Sequence, residues 1–197
     1  MKLTNLITAF LLIFNINAFA HDEPPPGSIA ISKATELAVH RIERLVTLKK
    51  IDAVFQTALI GLRAESSTEN GATYKAYGYV APGADGKSLT ITLWLDNQGK
   101  TLAYNVLQAQ APANPFAWPV KDSVTLMEEG LHFVLEGWVQ NPEVKAFYLG
   151  LSSISLAPVQ DAQGNLIAQF KVTSDDDART LTINLKSDGT FLSHEIK

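Results

Sequence analysis

The spacing of apolar residues changes period along the chain, and each change marks an element. From residue 28 onward, Ala34, Ala38, Ile42, Leu45 and Val46 recur at helical intervals, while Lys33, Glu36, His40, Glu43 and Arg44 share the opposite side. That pattern predicts an amphipathic helix with one buried stripe, and Ser32 stands at the N-cap position. The helix should stop near Leu48 to Lys50, where two lysines suit the negative end of its dipole. A short helical turn over Ile51 to Phe55 follows. Four stretches then read as strands: Ala58 to Ala64, Thr73 to Val80, Leu89 to Leu95 and Thr101 to Leu107. In the third, Leu89, Ile91, Leu93 and Leu95 fall on one face, and Thr90, Thr92 and Trp94 on the other. Asn70-Gly71, Asp85-Gly86 and Gln98-Gly99 separate the strands as turn dipeptides that reach positive φ at little cost. One helix followed by an antiparallel meander is the expected unit.

The second half says the same again. Met127, Leu131, Val134, Leu135, Trp138 and Val139 form a helical stripe, with Asp122 or Ser123 as cap and Asn141-Pro142 as stop. Strands are expected at 150–157, 165–173, 181–186 and 190–196. Leu89-Thr90-Ile91-Thr92-Leu93 returns 92 residues later as Leu181-Thr182-Ile183-Asn184-Leu185. Phe55 likewise precedes Phe147 by 92, and the helical stripes align at 93, Ala38 with Leu131 and Ile42 with Leu135. A fixed period of this kind means one supersecondary unit used twice. The expected fold class is α+β: two tandem repeats, 28–107 and 120–197, each an N-terminal helix packed on a four-stranded antiparallel sheet. A proline-rich linker, 108–119, joins them. The pattern leaves open whether the two sheets stay separate or join edge to edge.

The N-terminal residues have a different character. Lys2, the apolar run from Leu6 to Phe14, and Ala18-Phe19-Ala20 fit a secretory signal over residues 1–20, and the apolar run is too short to span a bilayer. Cleavage after Ala20 would leave 177 of the 197 residues, beginning with an arm over 21–27 whose three consecutive prolines forbid a helix. Loss of Lys2 leaves 15 basic against 20 acidic residues, a net charge of −5. That balance argues against nucleic acid or an anionic membrane as partner. The absence of cysteine excludes disulfides and thiolate metal sites. The expected location is periplasmic or secreted, with no membrane span.

Helix-then-strands units ending in an Asp-x-x-Gly-x-x-Leu hairpin resemble the PepSY-type domain of secreted bacterial proteins. The residues that carry the likeness are Ile31-Ser32-Lys33-Ala34, Lys49 to Phe55, and the hairpin from Leu95 to Leu102. Two such units in tandem also resemble the architecture of the proteinaceous β-lactamase inhibitors. The resemblance implies a binding, inhibitory or regulatory role in the cell envelope, and it supplies no catalytic residues.

Candidate chemistry is sparse. With cleavage after Ala20, the α-amino group and imidazole of His21 would form a bidentate nitrogen chelator suited to Cu(II), with His40, His132 or His194 as a second imidazole. The plainer reading is a polar start compatible with leader cleavage. His40 is expected on a solvated helix face, His132 partly buried beside the second stripe, and His194 on the last strand. Asp175-Asp176-Asp177 offers the oxygen ligands calcium takes but lacks the ligand spacing of a dedicated loop, so a solvated hairpin tip is the simpler reading. Asp161 to Asn165 reads as a turn. There is no Gly-x-Ser-x-Gly, no cysteine nucleophile and no phosphate-cradling glycine loop, so no enzyme activity and no cofactor are expected. The partner-binding candidates are Phe116 and Trp118 in the linker and Tyr77 and Trp94 on neighbouring strands. The linker rings either present rigid area to a partner or plug the gap between the repeats. Tyr74, Tyr77, Tyr79 and Trp94 make an open platform if they face away from the helix, and core if they face it. The expected function is recognition of an envelope protein or peptide through sheet and linker surface. The alternative is a periplasmic copper-binding role at His21.

Overall fold

A computed structural model of the chain describes residues 25–108, 110–175 and 178–197, with the backbone alone over 138–140. The leader, His21, and the side chains of Trp138 and Val139 lie outside what is described. Helix α1 spans Ile31–Thr47 and a one-turn helix α2 spans Val54–Thr57. Strands β1 (Leu59–Ser66), β2 (Tyr74–Val80), β3 (Thr90–Leu95) and β4 (Thr101–Leu107) follow. Then come α3 (Ser123–Gln140), α4 (Pro142–Leu149), β5 (Leu151–Gln160), β6 (Leu166–Ser174), β7 (Thr180–Lys186) and β8 (Phe191–Ile196).

The strands form one eight-stranded sheet in the order β4-β3-β2-β1-β5-β6-β7-β8, antiparallel throughout. The question of two sheets or one is therefore resolved in favour of one. Its seam is the pairing of β1 with β5, through Gly61↔Ser155, Leu62↔Ile154 and Arg63↔Ser153. Each of these strands would otherwise be the free edge of its own meander, with a row of unsatisfied backbone groups. The helices pack on one face, and a single apolar core runs under all of them, from Ala34 and Phe55 to Phe147 and Ile183. Alternation along the strands follows from this. In β2, Tyr74, Ala76, Gly78 and Val80 are buried, and the residues between them are only partly covered.

The helix boundaries depart from the sequence pattern in three ways. Ser32 is not the N-cap of α1. The helix begins two residues earlier than a Ser32 cap would place it, at Ile31 with Ala30 as cap, and Ser32 is buried in its first turn. At the other end Lys49 takes a left-handed φ of 55°, and Lys50 N donates to Leu45 O at 2.9 Å, which closes a Schellman-type cap. Asn141-Pro142 does stop α3, but it also starts α4. Asn141 Oδ1 accepts from Glu143 N at 3.0 Å, and Pro142 occupies the first helical position, where its missing N–H costs nothing. Asp122 caps α3 as expected, accepting from Thr125 N at 2.9 Å.

The third departure is in register. The buried residues of α1 are Ser32, Ala34, Thr35, Ala38, Val39 and Ile42. In α3, beyond its first residue Ser123, the buried residues are Val124, Leu126, Met127, Gly130, Leu131 and Val134. These sets align at 92, not 93, which is also the interval between Leu89 and Leu181. The shift of one arose from matching Ala38 to Leu131 by hydrophobicity, whereas its buried counterpart is Gly130.

Candidate functional site

The helix-free face of the sheet carries the aromatic platform. On β2, Lys75, Tyr77 and Tyr79 point away from the core. Their cross-strand neighbours on β3 are Trp94, Thr92 and Thr90. On the other side, β1 sets Glu65 against Lys75, Arg63 against Tyr77 and Gly61 against Tyr79. Gly61 in turn pairs with Ser155 and Arg63 with Ser153, so β1 brings the group to the seam, while Trp94 on β3 lies one strand in from the β4 edge. Of the aromatic group read from the sequence, Tyr77, Tyr79 and Trp94 are on this open face. Tyr74 is not. Its ring is fully buried on the helix side, and its hydroxyl donates to Ile29 O.

Polar contacts hold the platform rings in place. Tyr77 Oη donates to Glu65 Oε1 at 3.0 Å, and Trp94 Nε1 lies 3.4 Å from Glu69 Oε2. Lys75 Nζ bonds both Glu69 oxygens, at 2.9 and 2.7 Å, and stands 5.3 Å from the Tyr77 ring centre and 5.8 Å from that of Trp94. These are cation–π distances. Burial pushes the Tyr77 and Tyr79 hydroxyls up, with Lys75 partly offsetting it for Tyr77 and Arg63 for Tyr79. Both phenols are therefore neutral near pH 7, and that of Tyr77 is donated to Glu65. Hydrogen bonds from Lys75 and then Trp94 hold the Glu69 carboxyl below its ordinary value. The face offers flat ring area, neutral hydroxyls and cationic groups together.

The linker rings sit elsewhere. Trp118 is only 7% exposed and packs edge-on to Phe116 at 5.1 Å between centroids. Its Nε1 is buried and has no hydrogen-bond partner among the described residues. Partner binding through Trp118 requires an accessible ring; here the indole closes the core as a plug. Phe116 is partly covered and packs against the same core.

Two of the histidines meet in a single cleft. His40 on α1 is exposed as expected, and its Nδ1 is 2.9 Å from Glu128 Oε1 on α3. His132 is exposed rather than partly buried, because it falls just outside the buried stripe, and its Nε2 is 3.5 Å from Glu136. A cleft of about 240 Å³ between α1 and α3 is lined by both histidines together with Glu36, Glu128 and Glu129. Reading the residues singly missed this grouping. The available signal was that Glu36-x-x-x-His40 returns at 92 as Glu128-x-x-x-His132. His194 lies on the β8 edge, 5.5 Å from the Phe133 ring centre. Asp161 is in the expected turn, its Oδ1 accepting from Gln163 N and Asn165 N. Of the aspartate run, only Asp175 is among the described residues.

Together these features define a one-layer antiparallel sheet backed by helices, with its aromatic face uncovered. No protein family, curated protein or solved structure matches the chain. Among the described residues, no helix is long and apolar enough to cross a membrane.

Proposed function

We propose that this chain is an exported, non-enzymatic binding protein of the cell envelope that recognises a protein or peptide on the open sheet face. The observation that carries the reading is the cluster of Tyr77, Tyr79 and Trp94, with Lys75 and Arg63, on the helix-free side of strands β1, β2 and β3. Tyrosine and tryptophan supply large rigid contact area at low entropic cost, and together with arginine they dominate the binding energy of protein interfaces. Nothing in the core requires three aromatic rings on that side. On the edge strand β4, exposed Leu107 lies opposite Thr90 on the same face.

The same reading takes the chain as a tandem duplication of a PepSY-like helix-and-meander unit behind a cleavable leader. The 92-residue interval shared by the buried helix residues, by Phe55 and Phe147, and by Leu62 and Ile154 across the seam supports it. Duplication would place two copies edge to edge and turn two narrow sheets into one broad platform.

The test is affinity capture from envelope extracts, followed by direct titration of each captured protein. Replacing Tyr77 and Trp94 together by alanine should weaken binding at least thirtyfold, about 2 kcal/mol. Glu143→Ala, on exposed α4, should not change it. Equal binding by all three proteins contradicts the assignment.

A further inference from the structure

We propose that His40 and Glu43 of α1 and Glu128 of α3 bind a zinc ion that clamps the two helices together. The nitrogen or oxygen that each side chain can offer lies within 4.8 Å of the other two. His40 Nδ1 already stands 2.9 Å from Glu128 Oε1. One imidazole with two carboxylates is a ligand set zinc accepts, at about 2.0–2.2 Å to each donor, and zinc tolerates water in its fourth position. Closing from the present spacing to that geometry needs side-chain rotation alone, since all three groups are on stable helices.

Two further observations point to a cation. Glu36, whose Oε1 accepts from Lys33 Nζ at 2.7 Å, lines the same cleft with its Oε2 buried and without a hydrogen-bond partner among the described residues. Glu128 also sits close to Glu43, with a carboxylate oxygen of each within 4.8 Å of the other. Two carboxylates facing one imidazole leave a negative surplus even when the histidine is protonated, and a divalent cation removes it. The 92-residue recurrence of Glu-x-x-x-His gives His132 and Glu36 as the symmetry counterparts of His40 and Glu128, so the cleft has reserve ligands on both helices.

This site is independent of the sheet face and of His21. Its test is titration of the purified protein with zinc against a chromophoric competitor, with thermal unfolding measured in parallel. One zinc per chain is expected, and the unfolding midpoint should rise with zinc concentration, because an ion that binds only the folded state stabilises it. His40→Gln keeps a hydrogen-bonding side chain at an exposed position and should weaken zinc at least tenfold, as should Glu128→Gln. His21→Ala and His194→Ala should leave affinity unchanged. Absence of stoichiometric zinc binding overturns the proposal. So does binding that survives His40→Gln and Glu128→Gln, or that is lost with His21→Ala.

Discussion

A Cβ atom placed on Gly130 of α3 would stand 2.5 Å from Cγ of Phe170 on β6. The phenylalanine ring fills the space that a helix side chain would otherwise take. At the corresponding positions of the other half the volume is arranged the opposite way. The helix carries Ala38, and β2 carries Gly78, where a Cβ would meet Ile91 and Ile42 at 2.9 and 3.0 Å. Alanine ordinarily favours a helix over glycine by about 1 kcal/mol. At position 130 the overlap with a buried aromatic ring reverses that sign. Gly130→Ala should lower stability in urea by about 1–3 kcal/mol. Adding Phe170→Leu should recover part of the loss, so that a double-mutant cycle gives a positive coupling between the two sites.

Lys49 is held at a φ of 55° in the C-terminal cap of α1. A left-handed conformation costs a side-chain-bearing residue about 1–2 kcal/mol, and glycine is free of that cost. Lys49→Gly also gives up a favourable charge near the helix end, about 0.3 kcal/mol, and gains freedom in the unfolded chain. A net gain of about 0.5 kcal/mol is expected, read as a small rise in thermal midpoint.

The Trp118 ring and its N–H pull stability in different directions. Removing the buried ring with Trp118→Ala should cost about 3–5 kcal/mol. Trp118→Phe removes an unpartnered buried donor, relieving about 1 kcal/mol, and leaves only a small void. Near-neutral stability of the phenylalanine variant beside a large loss in the alanine variant is the expected pair of results. A large loss in both would mean that the indole N–H has a partner in solution.

The contact of Glu69 with Lys75 and Trp94 gives a pH dependence with a defined sign. The Glu69 carboxyl is lowered in the folded protein, chiefly by the Lys75 hydrogen bond, so its contribution is present above the unfolded glutamate pKa and is lost as pH falls through the folded one. The Lys75 ammonium is raised, chiefly by Glu69, so its contribution is present below the unfolded lysine pKa and is lost only as pH rises through the folded one. Between these limits the contact is constant. The Trp94 indole N–H resonance should therefore shift in acid with a midpoint below the ordinary glutamate value, and Glu69→Gln should abolish that shift.

Local periodicity made the elements legible, and long-range pairing decided what it left open. Period-two alternation located the six interior strands within a few residues, since one face of each is buried, whereas the edge strands β4 and β8 bury no residue and follow from the turns before them. The Asp-Gly and Gln-Gly dipeptides located the turns through their backbone requirement. Joining β1 to β5 left no such mark, because their backbone pairing needs no residue type or spacing that two separate meanders would lack. Helix α4 was hidden by Asn141-Pro142, a pair that ends one helix and begins the next by the same chemistry. Burial of Trp118 depended on the position of both halves at once. The His40–Glu128 contact joins residues 88 apart, and only the recurrence of Glu-x-x-x-His hinted at it.

The role assigned to the sheet face is tested most directly by site-specific photo-crosslinking in intact cells. A photoreactive phenylalanine analogue at Asn105, exposed on β4 beside Thr92 on the platform side, should form a discrete adduct with an envelope protein or peptide. The same analogue at Glu143 on α4 should not. The Asn105 adduct should disappear when Tyr77 and Trp94 are replaced by alanine. An adduct formed from Glu143 and absent from Asn105 would contradict the account, because recognition would then lie on the helical side of the sheet.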